Sequence, residues 1–242
     1  SSLRTGAGRS RASSPTRAMN IDLLCQYLIA GLTYGTIYAI VAIGFNIIYN
    51  TTGIINFAQG EFVMLGGMLA VTLDLYLPLP LAIAGAVIAT MLVGALIEIG
   101  FIRWLKGPSV LRMVMITIGL SIIIKAAALA IWGEGVRSLP YFTGTAVTVI
   151  SMGDVHISPQ VLWVIGVSGM IVALLSFFFN HTLLGRQMRA CAANMDAARL
   201  CGIDAKNMVT LSFVLSAGIG ALAGCVVCPI TYVQYDSGTN LA

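Results

Sequence analysis

The feature that most constrains this chain is a series of long apolar stretches separated by short breaks, most of which contain glycine or proline. A helix needs about 20 residues to cross roughly 30 Å of hydrocarbon. Six stretches reach that length, and they cover residues 23–49, 54–73, 79–104, 114–132, 160–179 and 208–232. The pattern predicts an all-α integral membrane protein, a polytopic helical bundle with about six transmembrane helices.

Composition argues against the main alternatives. Hydrophobic residues make up 58% of the 242 residues and charged residues only 9%, whereas an ordinary soluble domain carries roughly a quarter charged residues. A soluble domain of this size could not cover its surface with so few charges. A cytosolic enzyme, a disordered protein and a collagen-like fibre are therefore disfavoured.

The net charge of +4 comes from the N-terminus. Residues 1–18 contain four arginines and no acidic residue, and the remaining chain has nine basic and nine acidic residues. The charge is therefore no indication of a nucleic-acid partner. We expect residues 1–18 to be a flexible Arg/Ser/Gly-rich extension that precedes a native start at Met19. They lack the apolar core of a signal peptide.

The distribution of basic residues predicts the orientation of the bundle, because cytoplasmic loops carry an excess of Lys and Arg. The second and fourth breaks hold one such residue, Arg137. The third and fifth breaks, with their flanks, hold seven, which are Arg103, Lys106, Arg112, Arg186, Arg189, Arg199 and Lys206. This places the third and fifth breaks in the cytoplasm and residue 20 outside.

The two longest breaks are predicted to contain structure. Outside, residues 145–150 and 155–157 flank a turn at 151–154 and predict a short β-hairpin, with a plain linker as the alternative. Such a hairpin could form a docking surface for an external partner. Inside, residues 186–202 contain good helix formers and end at Gly202, which predicts one helix with a C-cap glycine. A helix in this place is typical of an interaction element.

Small residues recur at helix-packing spacing in two stretches. Gly31 and Gly35 lie in the first stretch, and Ser216, Gly220 and Gly224 lie in the last. Spacing of four residues lets helix backbones approach closely in lipid. It predicts helix packing rather than function.

Polar residues at membrane depth are costly and call for individual hypotheses. Glu61 lies near the middle of the second stretch, and Asn56, Gln59 and Gly60 lie close to it. A helix would align Asn56 and Gly60 on one stripe. One interpretation is that Asn56, Gln59, Gly60 and Glu61 line a solute path, and the other is a polar cluster satisfied within the bundle.

Two further charges lie within apolar stretches. Glu98 lies one to two turns before Arg103, which predicts snorkelling or local pairing. Lys125 could snorkel or pair with Glu61, but nothing in the sequence places those two side chains in contact.

Motifs for catalysis, nucleotide binding and metal binding are missing from the sequence. It contains no G-x-x-x-x-G-K-[ST], H-E-x-x-H or G-x-S-x-G. Cys225 and Cys228 form a C-x-x-C, but they lie in an apolar run far in sequence from both histidines, so they are predicted to be packing residues. The expected chain is not an enzyme, and it has no metal site.

Several segments resemble the branched-chain amino-acid ABC-transporter permeases, most closely their H-type subunit. They are GLTYGTIYAIVAIG at residues 31–44, IINFAQG at 54–60, TIGLS at 117–121 and LGRQMRA at 184–190. The family usually has N-F-A-H-G in the second segment, and Gln59 replaces that histidine. The matches keep their order over most of residues 27–230.

The last segment continues into a sequence that is similar to the E-A-A-x-x-x-G coupling motif of ABC importers. Asp196 replaces the glutamate, and the usual downstream I-x-L-P is absent. The resemblance implies that Ala197 and Ala198 seat in a groove on a partner ATPase and that Gly202 turns the chain back. The implied coupling residues are Arg186, Asn194, Asp196, Ala197, Ala198 and Gly202.

The resemblance implies a permease subunit of an ATP-binding-cassette importer for branched-chain amino acids in the inner membrane of a bacterium. Its implied partners are a second permease subunit, two cytoplasmic ATPase subunits, a periplasmic or extracellular solute-binding protein and membrane lipid, with no nucleic acid. The partner subunits would use ATP, and this chain would bind no cofactor. Because family members continue past the last stretch, residues 19–242 are expected to be a permease domain that is incomplete at its C-terminus.

Two rival functions remain open. The same architecture could import urea, short amides or other amino acids. An ion-coupled secondary transporter or channel that uses Glu61 in a relay is a different class, and uptake that survives ATP depletion would favour it.

Overall fold

The computed structural model describes residues 16–53, 55–104, 110–143, 150–152 and 155–238. Its α-helices, in chain order, are α1 (Thr16–Thr52), α2 (Gln59–Asp74), α3 (Leu79–Ile97), α4 (Val110–Trp132), α5 (Pro159–His181), α6 (Leu183–Ala193), α7 (Met195–Leu200) and α8 (Ala205–Thr231). A π-helical turn, Glu98–Ile102, extends α3. Most of the predicted N-terminal extension, residues 1–15, lies outside the described residues.

Five helices in the described part of the chain are long and apolar enough to cross a membrane. Their spanning segments are Leu23–Thr52, Leu79–Ile102, Leu111–Trp132, Pro159–His181 and Ala205–Thr231. The prediction of an all-α polytopic membrane protein is confirmed.

Residues 54–73 were predicted to form a full transmembrane crossing, but the structure has only a shorter helix there. The helix there, α2, has 16 residues, which corresponds to about 24 Å at 1.5 Å per residue. Gly53 has a φ of +68° and ends α1. Asn56 Oδ1 then accepts a hydrogen bond from Ala58 N at 3.1 Å, a local turn that competes with helix formation. Residues 55–58 are therefore not helical, and α2 begins only at Gln59.

Helix α8 lies at the centre of the bundle. In its most apolar window 78% of the residues are buried, against 17–28% in the other four spanning helices. It packs on α1, α2 and α3. Serine, alanine and glycine dominate its buried positions, which lets neighbouring backbones come close where lipid supplies no hydrophobic drive. In the other four spanning helices most of the window is not buried by the described residues.

The two predicted glycine pairs behave differently. A side chain at Gly224 would overlap Val63 O and lie 3.0 Å from Gly67 N, and one at Gly220 would lie 3.0 Å from Phe62 Cβ. These two glycines therefore form the close crossing between α8 and α2. Contrary to the packing prediction, Gly31 and Gly35 are exposed, and no atom of the described residues lies within 4 Å of a Cβ at either position.

The segments that connect the helices at the predicted outer end of the bundle are held by specific contacts. At the predicted outer end, Trp132 Nε1 donates to Thr72 Oγ1 at 2.7 Å, and Arg137 and Val233 form an antiparallel bridge. Two short strands also occur on this side, β1 (Ile150–Met152) and β2 (Val155–Ile157). They pair antiparallel, with Ile150 opposite Ile157. Residues 145–149 of the predicted first strand lie outside the described residues.

Candidate functional site

Helix α2 begins deep inside the bundle rather than at its surface. The Gln59 side chain reaches Gly44 of α1 and Ser216 of α8. Gly44 lies eight residues before the end of α1, or about 12 Å from it, and Ser216 lies about 16 Å from the start of α8. The chain therefore leaves α1 at the inner end and returns as a non-helical segment. Non-helical backbone is tolerated at this depth only where protein or a water-filled cavity surrounds it.

Asn56 lies in this return segment, and its side chain is only partly satisfied. The residue is 2% exposed. Its Oδ1 caps Ala58 N, and its Nδ2 has no hydrogen-bond partner among the described residues. Because Asn56 precedes α2, the prediction that it shares a helical stripe with Gly60 is wrong.

Gln59, by contrast, is held firmly by its neighbours. Its Nε2 donates to Ser216 O at 3.3 Å, and its Oε1 lies 2.6 Å from Ser216 Oγ. The same hydroxyl lies 2.7 Å from Gly44 O. A Cβ at Gly44 would lie 2.5 Å from Gln59 Nε2, so only glycine leaves room for this contact. The three residues tie together α1, α2 and α8.

Glu61 is the third residue of α2 rather than the middle of a span. Its Oε1 accepts a hydrogen bond from Ser121 Oγ at 2.9 Å and lies 3.5 Å from Lys125 Nζ, both on α4. The structure thus forms the ion pair that the sequence left open. Glu61 Oε2 has no hydrogen-bond partner in the described part of the chain and faces Gly238. The buried Gly60 packs against Gly238 as well.

Two of the cavities that α1 lines share one side chain, Tyr38. A cavity of about 270 Å³ lies between α1, α2, α8 and the segment after α8, and Tyr34, Tyr38 and Tyr232 are among its lining residues. A second cavity, of about 400 Å³, lies between α1 and the return segment and includes Tyr38, Asn56 and Gln59. Tyr38 is thus the boundary between an outer cavity and one halfway across the bundle. Glu61 and Gly60 line neither.

Glu98, the acidic residue in the spanning segment Leu79–Ile102, neither snorkels nor pairs with Arg103, contrary to the sequence prediction. It is 1% exposed. Its Oε2 accepts a hydrogen bond from Thr210 Oγ1 at 2.6 Å, which joins the inner end of α3 to α8.

The predicted inner helix is in fact two helices. Asn194, with a φ of −161°, separates α6 from α7, and its Oδ1 accepts hydrogen bonds from Asp196 N and Ala197 N. Such a cap favours a new helix start over continuation. The predicted C-cap is confirmed, since Gly202 has a φ of +81°. Gly202 N bonds to Arg199 O and Ile203 N to Ala198 O, the pattern of a Schellman motif.

The implied coupling residues divide into an exposed group and one buried residue. Arg186, Asn194, Asp196, Ala197 and Gly202 are exposed, and Asp196 makes a surface ion pair with Arg199 at 3.1 Å. Ala198 is 4% exposed and packs in a core with Ala205 and Met208 of its own chain. It is therefore not available to a partner's groove, which corrects the implied role of this alanine.

Several residues of this region were missed at the level of sequence. The sequence spacing predicts only a packing role for Ser216, although a buried hydroxyl needs a hydrogen-bond partner. Ser121 lies four residues before Lys125, so a helical reading would have placed both on one face. Tyr38 carried no distinguishing signal. Leu200 is the last residue of α7 and is 90% exposed, which is unusual for an apolar side chain among polar neighbours.

The cysteines are all free thiols. Cys225 Sγ lies 3.5 Å from Gly66 O at the crossing of α8 and α2, where it fills space between the helices. Within the described residues, no three His, Cys, Asp or Glu side chains are grouped as metal ligands.

Comparisons with known proteins agree with the architecture. The family described as "Branched-chain amino acid transport system / permease component" matches residues 27–241. The chain is 34% identical to the high-affinity branched-chain amino acid transport system permease protein BraD of Pseudomonas aeruginosa, over 82% of this chain and 68% of that protein. It is 29% identical to the permease protein LivH of Escherichia coli, with the same coverage.

A more distant relative is named for a different solute. The autoinducer 2 import system permease protein LsrC of Salmonella paratyphi B is 27% identical over 72% of this chain and 49% of its own length. No solved structure matches the chain. The match over residues 27–241 and the 34% identity to BraD establish that the chain belongs to the branched-chain amino-acid transport permease family.

Proposed function

We propose that the chain is a transmembrane permease subunit of an ATP-binding-cassette importer for branched-chain amino acids, and that it forms part of the translocation path. The observation that carries this proposal is the polar return segment halfway across the bundle. It borders a cavity that meets an outer cavity at Tyr38. The names of BraD and LivH support branched-chain amino acids as the solute class.

The proposed complex contains a second permease subunit, two cytoplasmic ATPases that bind ATP and an external solute-binding protein, in the inner membrane of a bacterium. Helix α7 is the proposed contact with an ATPase, because it presents Ala197 and Leu200 on the inner side. ATP-driven closure of the ATPases would move α6 and α7 as a rigid pair and switch access to the path.

Reconstitution tests the proposed function. The native complex is placed in proteoliposomes with its binding protein outside and ATP inside, and uptake of labelled leucine is measured with competing urea, short amides and unlabelled amino acids. Uptake should require ATP, and valine and isoleucine should compete. Uptake that persists without ATP and collapses with the ion gradient would refute the importer. Competition only by another solute would refute the solute class and favour an import system such as that named for LsrC.

A substitution on α7 tests the proposed ATPase contact separately. Ala197→Trp should abolish uptake, because the exposed alanine leaves no room for an indole at a packed interface. Ala192→Trp, an equally exposed change on α6, is the matched control and should leave uptake intact. Normal uptake by the Ala197→Trp complex would remove α7 from the interface.

A further inference from the structure

Two neighbouring cavities form a groove between α1 and α5 at the predicted inner end of the bundle. One, of about 420 Å³, lies between the ends of these two helices and α6. The other, of about 320 Å³, extends along α1 and α5 towards the middle of the membrane. Both cavities are lined by Ile47, Asn50 and Phe179. They therefore form one continuous groove.

The length of this groove matches one leaflet of a bilayer. Its lining reaches Ile43 on α1 and Val172 on α5, and each lies nine residues before the end of its helix. Nine residues correspond to about 14 Å at 1.5 Å per residue, and half of the hydrocarbon core is about 15 Å thick. Val172 and Ser176 are exposed in the described part of the chain, so the groove opens sideways towards lipid.

The inner end of the groove carries a cation that α5 holds in place. Arg189 Nη1 donates to Asn180 Oδ1 at 3.3 Å, and Asn180 Nδ2 donates to Ser176 Oγ at 3.3 Å. Arg189 is itself exposed, and no acidic residue lines either cavity among the described residues. Its other N–H groups can therefore reach an anion, and a guanidinium binds phosphate oxygens in bidentate fashion.

Two exposed asparagines of α1 add hydrogen-bond donors beside the apolar walls. Asn50 lines both cavities, and Asn46 lies one turn deeper. Asn46 is six residues, or about 9 Å, from the end of α1, a depth at which an amide that faces hydrocarbon is unfavourable. The ester oxygens of a phospholipid lie at the edge of the hydrocarbon and can accept hydrogen bonds from both amides.

We propose that this groove binds one anionic phospholipid of the cytoplasmic leaflet, with its phosphate on Arg189, its ester oxygens at Asn46 and Asn50, and one acyl chain between α1 and α5. Basic pockets between spanning helices on the cytoplasmic side are typical sites for such head groups. An acidic segment of a partner subunit would match Arg189 but would leave the apolar part of the groove unfilled. The inference does not depend on which solute the complex transports.

Photolabelling of the native complex in nanodiscs, without ATP or solute, tests the site. The probes are phosphatidylglycerol and phosphatidylcholine with the same diazirine-labelled acyl chain, and peptide mapping measures the label on α1 and α5. Phosphatidylglycerol should label the groove at least about five-fold more than phosphatidylcholine, because a basic residue near the membrane surface favours anionic lipid by about that factor. Arg189→Gln should reduce this ratio by about five-fold. Lys206→Gln, at an exposed lysine on the same predicted side but outside the groove, should leave it unchanged.

A second pair of variants tests the apolar part of the groove. Val172→Trp places an indole between α1 and α5 and should lower labelling by both lipids several-fold. Met170→Trp, at a similarly exposed residue of α5 outside the groove, should not. The proposal would be overturned by a wild-type ratio in Arg189→Gln, by unchanged labelling in Val172→Trp, or by equal labelling of the wild type with both lipids. A groove that neither lipid labels in the assembled complex would also overturn it, since a partner subunit would then cover this face.

Discussion

The Glu61–Lys125 ion pair gives the sharpest prediction about stability. Lys125→Met leaves the Glu61 carboxylate buried, with Ser121 as its remaining hydrogen-bond donor among the described residues. Breaking a buried pair in this way costs about 3–5 kcal/mol. The Lys125 side chain is 23% exposed, so its charge is partly screened in the native protein. We therefore expect the low end, about 3 kcal/mol.

Glu61→Gln should be much milder. The glutamine oxygen can still accept from Ser121 and from Lys125, which both lie next to Glu61 Oε1, so the expected cost is about 1 kcal/mol. The double variant Glu61→Gln/Lys125→Met removes both charges and should lie within about 1 kcal/mol of wild type. The double variant and Glu61→Gln should therefore both lie within about 1 kcal/mol of wild type, and Lys125→Met should be the least stable of the four proteins.

Fluorescence-detected size exclusion after heating measures this order in mild detergent. At about 2–4 °C per kcal/mol for a chain of this size, Lys125→Met should lower the midpoint by about 6–12 °C. Lys206→Met, which removes an exposed lysine in the first turn of α8, is the control and should stay within about 2 °C. The role of the pair would be refuted if Lys125→Met lowered the thermal midpoint by less than about 2 °C. It would also be refuted if the double variant lowered the midpoint by the sum of the two single effects.

Three further predictions concern other parts of the fold. Gly224→Ala should lower the thermal midpoint by several degrees because its Cβ would overlap Val63 O, whereas Gly31→Ala should not; equal effects would contradict the close crossing. Tyr232→Gly should raise the midpoint by about 2–4 °C, since a φ of 56° with a ψ of 158° is strained for a non-glycine residue, and a lowered midpoint would argue against strain. Fluorescein maleimide at pH 7.5 should label Cys201, which is exposed. Burial raises the pKa of the Cys191 thiol, so that residue should react far more slowly, and equal rates in peptide mapping would show that α6 is not packed as described.

The spanning helices were predictable because long apolar stretches carry their own signal. The short α2 was not, since the segment before it is apolar enough to suggest a helix. Its start is set by Gly53 and by the Asn56 cap, which are local interactions that a hydropathy pattern does not register. A capping residue in an apolar stretch is the sequence sign of such a break.

The sequence could not predict features that depend on which side of a helix contacts a neighbouring helix. Gly31 and Gly224 each have another small residue four positions away, yet only Gly224 lies at a helix crossing. Ala197 and Ala198 are adjacent, and only the second is buried. The Glu61–Lys125 pair joins residues far apart in sequence, so its formation depends on the packing of α2 against α4.

The central position of α8 has a consequence for how the protein is made. The return segment and α2 are synthesised early, but Gln59 finds its partner Ser216 only 157 residues later. The glycines that accommodate the α2 backbone also belong to α8. Until that helix enters the membrane, a 16-residue helix with a buried carboxylate and an open backbone segment lacks its main packing partner. The packing of α2 therefore cannot be completed before α8 has been synthesised.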